Sequence, residues 1–338
     1  MPLPASVRRP QTHRMSDDPD RVRDSARPID ARPIDARLAR DLVDTQFPQW
    51  ADEPITGVPV GGVDNRTFRL GADLSVRLPS ADWYADQVAK EQRWLPVLGP
   101  QLPLPVPVPV ARGVPGSGYP YSWSVYRWLE GETAAWGRIA DQEEFARALV
   151  RFLRALGSLD TAGGPPPGPH NFFRGGPLTT YDEETHRAIE TLRSRIPAAA
   201  AEAVWADALA TTWVGPPVWF HGDVAEGNLL VRDGRLAAVI DFGCCGVGDP
   251  ACDVVVAWTL FSGASRAAFR AELGVDPATW ARGRGWALWK ALISIAAAAD
   301  SSELTPDAWR VLGDVLADHA AGDPTRTGGV RAPGEGAD

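Results

Sequence analysis

The sequence predicts an α+β protein of two lobes, with a small β-rich N-terminal lobe and a larger, mainly helical C-terminal lobe. Two observations support this fold class. Residues 55–80 contain short runs in which apolar and polar residues alternate, which is typical of β-strands. After residue 131 the apolar residues recur at helical spacing, except in a strand-rich segment at 217–241. The length of 338 residues and the 44% hydrophobic content are sufficient for a core in each lobe.

Composition divides the chain into four segments. Residues 1–35 are rich in Arg, Asp and Pro, which predicts a disordered extension. The small lobe is expected at 36–130 and the large lobe at 131–320, with a hinge at 127–131 between them. The tail 321–338, which contains Gly, Pro and charged residues, is expected to be flexible.

In the small lobe, the alternation predicts strands at 67–70 and 74–78 that are joined by a short turn. An apolar stripe predicts a helix over 82–98. The proline-alternating segment 103–109 must be extended and belongs at a sheet edge, because proline lacks the N–H that a central strand donates. A further strand is predicted at 123–129.

The large lobe is predicted to begin with a helix that Asp141 and Glu144 start as a capping box. Further helices are predicted near 182–194 and 199–212. The helical pattern resumes after the strand-rich segment and continues to residue 319.

Charge and cysteine usage narrow the class of protein. The net charge of −9 argues against a general nucleic-acid binder. No run of about eighteen apolar residues is present, which excludes a membrane-spanning helix, and no apolar run follows the N-terminal arginines, which excludes a secretory signal. Cys244, Cys245 and Cys252 are clustered without the spacing of a zinc site. We therefore expect a cytoplasmic protein with reduced thiols.

The strand-rich segment holds the residues best suited to catalysis. Asp233-Gly234 predicts a hairpin turn between two short strands. Asn228 at the start of one strand and Asp241 at the end of the other then lie on the same side of the hairpin. Asp223 stands five residues before Asn228, on the loop that leads into the first strand.

These three side chains match the needs of phosphoryl transfer. A carboxylate such as Asp223 accepts or orients the proton of an attacking hydroxyl. An amide oxygen and a second carboxylate, here Asn228 and Asp241, hold Mg²⁺ against nucleotide phosphates, because hard cations prefer oxygen ligands. The sequence therefore predicts a site that uses Mg²⁺ and either ATP or GTP.

The order and spacing of these residues resemble the catalytic loop and the metal-binding Asp-Phe-Gly of protein kinases. The opening His221-Gly-Asp223 and the later Gly248-Asp249-Pro250 are similar to the aminoglycoside phosphotransferase family, which comprises small-molecule antibiotic kinases. The resemblance covers residues 36–320 and implies a two-lobed, protein-kinase-like fold with a nucleotide-binding N-terminal lobe.

The resemblance also implies a cation on the nucleotide phosphates that is held by an acid. Arg77 points away from the apolar residues of its strand, and Glu91 falls on the apolar stripe of the next helix, where a carboxylate needs a partner. This pair resembles the kinase lysine–glutamate pair, with Arg in place of Lys, and the Arg fork suits bidentate contacts with phosphate. Lys90 is the alternative cation, but it points off the stripe.

Two further parts of the nucleotide site are implied by position. Gly61, Gly62 and Asn65 stand where a kinase has the loop that covers the phosphates. Trp128 and Leu129 resemble the hinge whose backbone binds the nucleotide base. The alternative for the hinge is an ordinary buried strand followed by a loop.

Several neighbouring residues are expected to be structural. His221 is expected to brace the catalytic loop, Asp249 before Pro250 fits a helix N-cap, and Asp253 falls in the first turn of that helix. The cysteines are expected to be passive. The candidates for acceptor binding, of which the tryptophans also suit core packing, are Trp280, Trp286, Trp289, Asp300 and Glu303.

Together these observations predict a small-molecule kinase. By resemblance, it phosphorylates a hydroxyl of an antibiotic, such as an aminoglycoside or a macrolide, and so confers resistance. Two alternatives stay open: a metabolic kinase with a sugar, choline-like or amino-alcohol acceptor, and a catalytically silent nucleotide-binding regulator on the same fold. The expected partners are a nucleoside triphosphate and a hydroxyl-bearing acceptor, without nucleic acid or membrane.

Overall fold

The computed structural model of the protein describes residues 33–58, 64–299 and 305–322. Most of the expected N-terminal extension and C-terminal tail therefore lies outside the described residues, as do Gly61 and Gly62. None of the helices within the described ranges combines the length and the apolar character that crossing a bilayer requires.

Five antiparallel strands form the sheet of the small lobe. They are β1 (Ile55–Gly57), β2 (Asn65–Leu70), β3 (Leu74–Pro79), β4 (Pro109–Gly113) and β5 (Trp123–Arg127). Their order across the sheet is β1-β2-β3-β5-β4. The predicted strands at 67–70 and 74–78 are confirmed as β2 and β3. Of the proline-rich segment 103–109 that was predicted at a sheet edge, only Pro109 lies in a strand, the edge strand β4, and residues 103–108 precede it outside the sheet.

The two faces of this sheet are covered by two helices, α1 (Ala36–Gln46) and α2 (Asp82–Leu98). Leu38 and Leu42 of α1 pack with Val76 of β3 in a small apolar core on one face. Successive side chains of a strand point to opposite faces, so Arg77 projects from the other face toward α2. The predicted orientation of Arg77 and the predicted bounds of the helix at 82–98 are both confirmed.

The connection to the large lobe is irregular. Strand β5 ends at Arg127, two residues before the predicted end at 129, and the chain then runs through Trp128 and Leu129. Gly131 has a φ of 145°, and a Cβ there would lie 3.0 Å from the Cβ of Leu230 in the large lobe. Glycine is thus required where the connection passes this close to the large lobe.

Helices account for most of the large lobe. They are α3 (Gln142–Gly157), α4 (Asp182–Thr191), α5 (Ala198–Leu209), α6 (Val256–Thr259), α7 (Gly263–Leu273), α8 (Pro277–Ala299) and α9 (Pro306–Gly322). Asp141 caps α3 by accepting hydrogen bonds from the backbone N–H groups of Glu143 and Glu144. The reciprocal half of the predicted capping box was wrong, because the Glu144 side chain pairs with Arg151 at 2.7 Å instead.

The described part of the large lobe also contains five short strands. They are β6 (Glu132–Thr133), β7 (Val218–Phe220), β8 (Leu229–Arg232), β9 (Arg235–Val239) and β10 (Gly246–Gly248). Strands β8 and β9 pair antiparallel around Asp233 and Gly234, whose φ angles are 53° and 74°. Two consecutive positive φ values are typical of a type I′ turn, so the predicted hairpin is confirmed.

A buried ion pair fastens α8 to the segment after β10. Arg282 Nε lies 2.7 Å from Asp249 Oδ2, and the side chains are only 5% and 8% exposed. The other carboxylate oxygen of Asp249 accepts the backbone N–H of Ala251 at 3.0 Å, which confirms the predicted N-cap. Because α8 also contributes to the site described below, this pair sets where that helix lies.

We predict that Arg282→Met lowers the free energy of unfolding by about 3–5 kcal/mol, because it leaves the Asp249 carboxylate buried without its counter-charge. The matched control is Arg187→Met, which breaks an exposed pair with Glu183 (side chains 56% and 89% exposed). The control should change stability by less than about 1 kcal/mol. Urea unfolding measures both, and equal losses in the two variants would contradict the prediction.

Candidate active site

The loop after β7 is held by one buried carboxylate. Asp253 accepts the backbone N–H of His221 at 2.8 Å and the backbone N–H of Gly222 at 2.7 Å. Gly222 has a φ of 83°, and a Cβ at this residue would lie 2.5 Å from the carbonyl oxygen of Cys244. The loop therefore requires glycine here for both its conformation and its space.

His221 braces this loop, as the sequence predicts, and the structure shows that it also connects the loop to the end of the β8–β9 hairpin. Its side chain is fully buried. Its Nδ1 accepts the backbone N–H of Asp223 at 3.2 Å, so the proton of a neutral ring lies on Nε2, which donates to the carbonyl of Ile240 at 3.0 Å. The residue before Asp241 is thereby tied to the loop that carries Asp223.

The structure brings Asp223 and Asn228 into direct contact. The side-chain amide of Asn228 donates to both the carbonyl and the Oδ2 of Asp223, each at 2.9 Å. The backbone carbonyl of Asn228 accepts the backbone N–H of Ile240 at 2.9 Å, which brings the two ends of the hairpin together. These contacts orient the Asp223 carboxylate without using its Oδ1.

Two cations keep Asp223 ionised. Lys290 Nζ of α8 lies 3.4 Å from Asp223 Oδ1. Burial by itself opposes ionisation of the carboxyl, but the charges of Lys290 and Arg174 outweigh burial and lower the pKa of Asp223. An ionised carboxylate at this position can accept a proton.

Asp241 has a left-handed backbone conformation, with φ of 65°, at the end of the hairpin. Its Oδ2 lies 2.8 Å from Arg77 Nη2, although the two residues are 164 positions apart in the chain. The Arg77 side chain also lies 3.5 Å from Glu91 of α2. The structure thus joins the predicted Arg77–Glu91 pair to the predicted metal ligand Asp241.

This charged cluster is enclosed. Tyr126 donates its hydroxyl to Glu91 Oε2 at 2.5 Å, and the Arg77 guanidinium lies 5.8 Å from the centre of the Tyr126 ring. Burial would lower the pKa of Arg77, but the carboxylates of Asp241 and Glu91 outweigh it and raise that pKa. Burial also raises the pKa of Glu91, which the Arg77 charge offsets only in part. Arg77 therefore carries a permanent charge in the interlobe cleft.

Lys90, the alternative cation, points elsewhere. Its Nζ lies 3.1 Å from His170 Nδ1, while His170 Nε2 lies 2.9 Å from the carbonyl of Pro166. Because a carbonyl can only accept, His170 Nε2 is the donor and Nδ1 accepts from Lys90. Burial and the adjacent Lys90 charge lower the pKa of His170. This geometry favours Arg77 over Lys90 as the cation that faces the cleft.

The donor set near Asp241 fits a divalent cation. Among the described residues, no three His, Cys, Asp or Glu side chains form a metal site by themselves. Asn228 and Asp241 would therefore have to be completed by phosphate and water oxygens, which is the usual coordination of Mg²⁺. Burial and the neighbouring Asp241 charge raise the pKa of Asp64 to about 6. The negative charges of Asp64 and Asp241 thus repel each other, and a divalent cation bound nearby would weaken this repulsion.

The predicted hinge residues Trp128 and Leu129 lie away from this cluster. Trp128 follows the end of β5 where Leu74 pairs with Arg127, whereas Arg77 pairs with Ser124. Three residues along a strand correspond to about 10 Å. Trp128 is stacked under Arg69, whose guanidinium lies 4.4 Å from the ring centre, and Leu129 beside it is half-buried.

Asn65 is buried at the start of β2, directly after Asp64, and pairs across the sheet with Pro79. It therefore lies close to residues 59–63, which are outside the described residues. Gly61 and Gly62, the other predicted members of the phosphate-covering loop, lie outside the described residues.

A cleft lies on the large-lobe side of Asp223, and two of the acceptor candidates line it. Trp286 and Trp289 of α8 are both in its lining, together with Arg174 and Lys290, which the sequence analysis missed. Trp280 is packed against Trp258 in the core instead, with ring centres 4.7 Å apart.

Asp300 and Glu303, the remaining acceptor candidates, lie outside the described residues. One sequence feature could have indicated Lys290, since it is one of only two lysines in the chain and directly follows Trp289. No comparable feature marks Arg174 among the many arginines.

The profile of a protein family matches more than half of the chain. The sequence profile of the phosphotransferase enzyme family matches residues 55–286. No curated protein sequence matches the chain.

Solved structures with the same fold include three phosphotransferases. The GDP complex of aminoglycoside 2'-phosphotransferase-IIIa is 18% identical with a TM-score of 0.63, covering 84% of this chain and 99% of its own. The ternary complex of APH(2'')-IIa with streptomycin and ATP is 16% identical with a TM-score of 0.53, covering 85% and 97%. The apoenzyme of a macrolide 2'-phosphotransferase from Brachybacterium faecium is 20% identical with a TM-score of 0.53, covering 86% and 99%.

We predict that His170→Gln reduces the loss of stability in acid. Because the folded state lowers the pKa of His170, the unfolded chain takes up the imidazole proton first as the pH falls below about 6.5, and stability decreases. Between about pH 7.5 and about pH 5.5, the Tm of the wild type should fall further than that of His170→Gln. His186→Gln, at a half-exposed imidazole on α4, is the control and should behave as the wild type. Identical falls for wild type and His170→Gln would contradict the Lys90–His170 geometry.

Proposed function

Because the chain belongs to the phosphotransferase enzyme family, we propose that it transfers the terminal phosphoryl group of ATP or GTP to a hydroxyl of a small molecule, with Asp223 as the catalytic carboxylate. The observation that carries this proposal is the cluster in the interlobe cleft. Asp223 touches Asn228, the hairpin joins Asn228 to Asp241, and Asp241 pairs with Arg77 of the other lobe.

Asp223 would bind and orient the attacking hydroxyl. Its Oδ2 is fixed by the Asn228 amide. Its lowered pKa keeps the carboxylate ionised, so that it can orient the hydroxyl and receive the proton during transfer. The acceptor oxygen forms a bond to the terminal phosphorus, the bond to the nucleoside diphosphate breaks, and the hydroxyl proton passes to Asp223. The products are a phosphorylated acceptor and a nucleoside diphosphate.

Asn228 and Asp241 would hold Mg²⁺. The ion, when bound, neutralises negative charge on the phosphate oxygens and aligns them for in-line transfer. The two residues come from opposite ends of the β8–β9 hairpin, so the hairpin fixes their separation.

Arg77 would bind the nucleotide phosphates, with Glu91 and Tyr126 holding its side chain in place. The guanidinium is buried against two carboxylates and offers five donors, so it can bind phosphate while remaining paired with Glu91. Arg77 can therefore bind the nucleotide phosphates, which is the role that the resemblance assigns to a lysine.

The remaining nucleotide contacts are proposed from position. Trp128 and Leu129 would form the hinge for the base, at the end of β5 that is remote from Arg77. Gly61, Gly62 and Asn65 would cover the phosphates. The solved relatives include both a GDP and an ATP complex, so both donors belong in the test.

An antibiotic is the first acceptor class to test. The relatives of the same fold carry names that specify aminoglycoside and macrolide phosphotransferases, and one was solved with streptomycin. Resistance by modification would follow from such an activity. A metabolic acceptor is the second candidate, and the two cations in the cleft beside Asp223 favour one without positive charge, such as a sugar, over a choline-like or amino-alcohol acceptor. The paired Asp223–Asn228 and Asp241–Arg77 contacts argue against a silent regulator.

We predict that Asp223→Ala lowers kcat by about 10²–10⁴-fold, since it removes the group that receives the proton, while nucleotide affinity stays close to that of the wild type. The assay incubates each protein with Mg²⁺, ATP or GTP, and a panel of antibiotics and small metabolic alcohols. Mass spectrometry follows the phosphorylated product and the nucleoside diphosphate together. Equal turnover by the variant would overturn the role of Asp223.

We predict that Arg77→Met raises the KM for the nucleotide by about tenfold or more, because a charge-assisted contact with phosphate is lost. Arg77→Lys keeps the charge and should retain most of the affinity. Arg235→Met, at an exposed residue of the hairpin, controls for the change in net charge. Urea unfolding of all variants separates lost binding from lost folding, and an unchanged KM in a folded Arg77→Met protein would exclude the phosphate role.

A further inference from the structure

The cleft beside Asp223, here called the acceptor cleft, is positively charged. Its lining includes Arg174, Asp223, Trp286, Trp289 and Lys290. Among the described residues that line it, Asp223 is the only acid, whereas two side chains are cations. The cleft thus carries a surplus of positive charge at the place where a hydroxyl would meet the catalytic carboxylate.

The Arg174 guanidinium is held rigidly toward the cleft. Its Nε donates to the carbonyl of Gly222 at 3.2 Å, and its Nη1 lies 3.5 Å from the Tyr181 hydroxyl. The same guanidinium lies 5.0 Å from the ring centre of Trp286 and 4.9 Å from that of Trp289. A guanidinium has five N–H donors, and these two contacts use only part of them.

Lys290 adds a second donor group. Its Nζ contacts Asp223 Oδ1 at 3.4 Å, and its side chain is 43% exposed. An ammonium has three donors, so the contact with Asp223 leaves donors that a ligand in the cleft can use. Lys290 and Arg174 therefore both present positively charged hydrogen-bond donors in the cleft that Asp223 lines.

These cations line a different cleft from the residues proposed to bind the nucleotide. The residues proposed to bind the phosphates and Mg²⁺, namely Arg77, Asn228 and Asp241, are not in the lining of the acceptor cleft, and every lining residue belongs to the large lobe. The surplus charge therefore lies on the side from which the acceptor approaches.

We propose that the acceptor is a hydroxy acid, in which a carboxylate near the reacting hydroxyl binds Lys290 and Arg174. This inference rests on the proposed function and specifies its substrate class. A carboxylate forms strong, charge-assisted hydrogen bonds with both side chains. A polycationic acceptor meets two like charges at the same place, which opposes its binding.

Calorimetric titration tests this proposal without turnover. The full-length protein is first saturated with Mg²⁺ and a non-hydrolysable ATP analogue, so that the probes cannot occupy the nucleotide site. The probes are phenyllactate, its neutral amide phenyllactamide, and streptomycin. We expect phenyllactate to bind the wild type at least about tenfold more tightly than the amide, and streptomycin to bind more weakly than phenyllactate.

Substitutions at Lys290 connect this preference to the cleft. Lys290→Met should bring the ratio of acid to amide affinity down to about one-tenth or less of the wild-type value, and Lys290→Arg should retain the preference because it keeps the charge. Arg235→Met is the control for net charge and should leave the ratio unchanged. A merely structural role of Lys290 would weaken both probes equally and leave the ratio unaltered.

The proposal is overturned by equal affinity for acid and amide, by binding of neither, by tighter binding of streptomycin, or by a ratio of acid to amide affinity that Lys290→Met leaves unchanged. None of these outcomes bears on phosphoryl transfer itself, which the Asp223→Ala assay decides. The two failures are thus distinguishable.

Discussion

The Arg77 guanidinium is the contact on which the arrangement of the site depends. It projects from a strand of the small lobe and pairs with Glu91 in its own lobe and with Asp241 in the other. A buried cation is costly unless it is compensated, so α2 must present Glu91 to it and the hairpin must end at Asp241. One desolvated charge thereby fixes the position of a strand, a helix and the end of a hairpin relative to one another.

In the large lobe, buried side chains hold the backbone of the loop that carries Asp223. Asp253 accepts the N–H groups of two consecutive residues in the loop that carries Asp223, and His221 connects that loop to the carbonyl of Ile240. Both carboxylate oxygens of Asp253 and both ring nitrogens of His221 are used, and such a network is rigid because breaking any bond leaves an unpaired partner in a low dielectric. The side chains of Asp223 and Asn228 are oriented by this scaffold rather than by their own loop alone.

Charge is divided across the cleft, with Asp223 at the boundary. Toward the small lobe, Asp64 and Asp241 create a negative field that suits a metal ion and its nucleotide. Toward α8, Lys290 and Arg174 create a positive one. Under the proposed function, this division would separate the nucleotide from the acceptor.

The sequence by itself determined the two-lobed fold class, the β2–β3 and β8–β9 hairpins, the bounds of α2, and the family, which the profile match confirms together with the enzyme class. These features follow from periods of two and 3.6 residues and from turn chemistry, which are local properties of the backbone. Only the tertiary structure decided that Arg77 reaches Asp241, that Lys90 pairs with His170 instead, and that Arg174 and Lys290 meet beside Asp223. Such contacts join residues that are between 67 and 164 positions apart in the chain, and no local pattern encodes how those segments pack together.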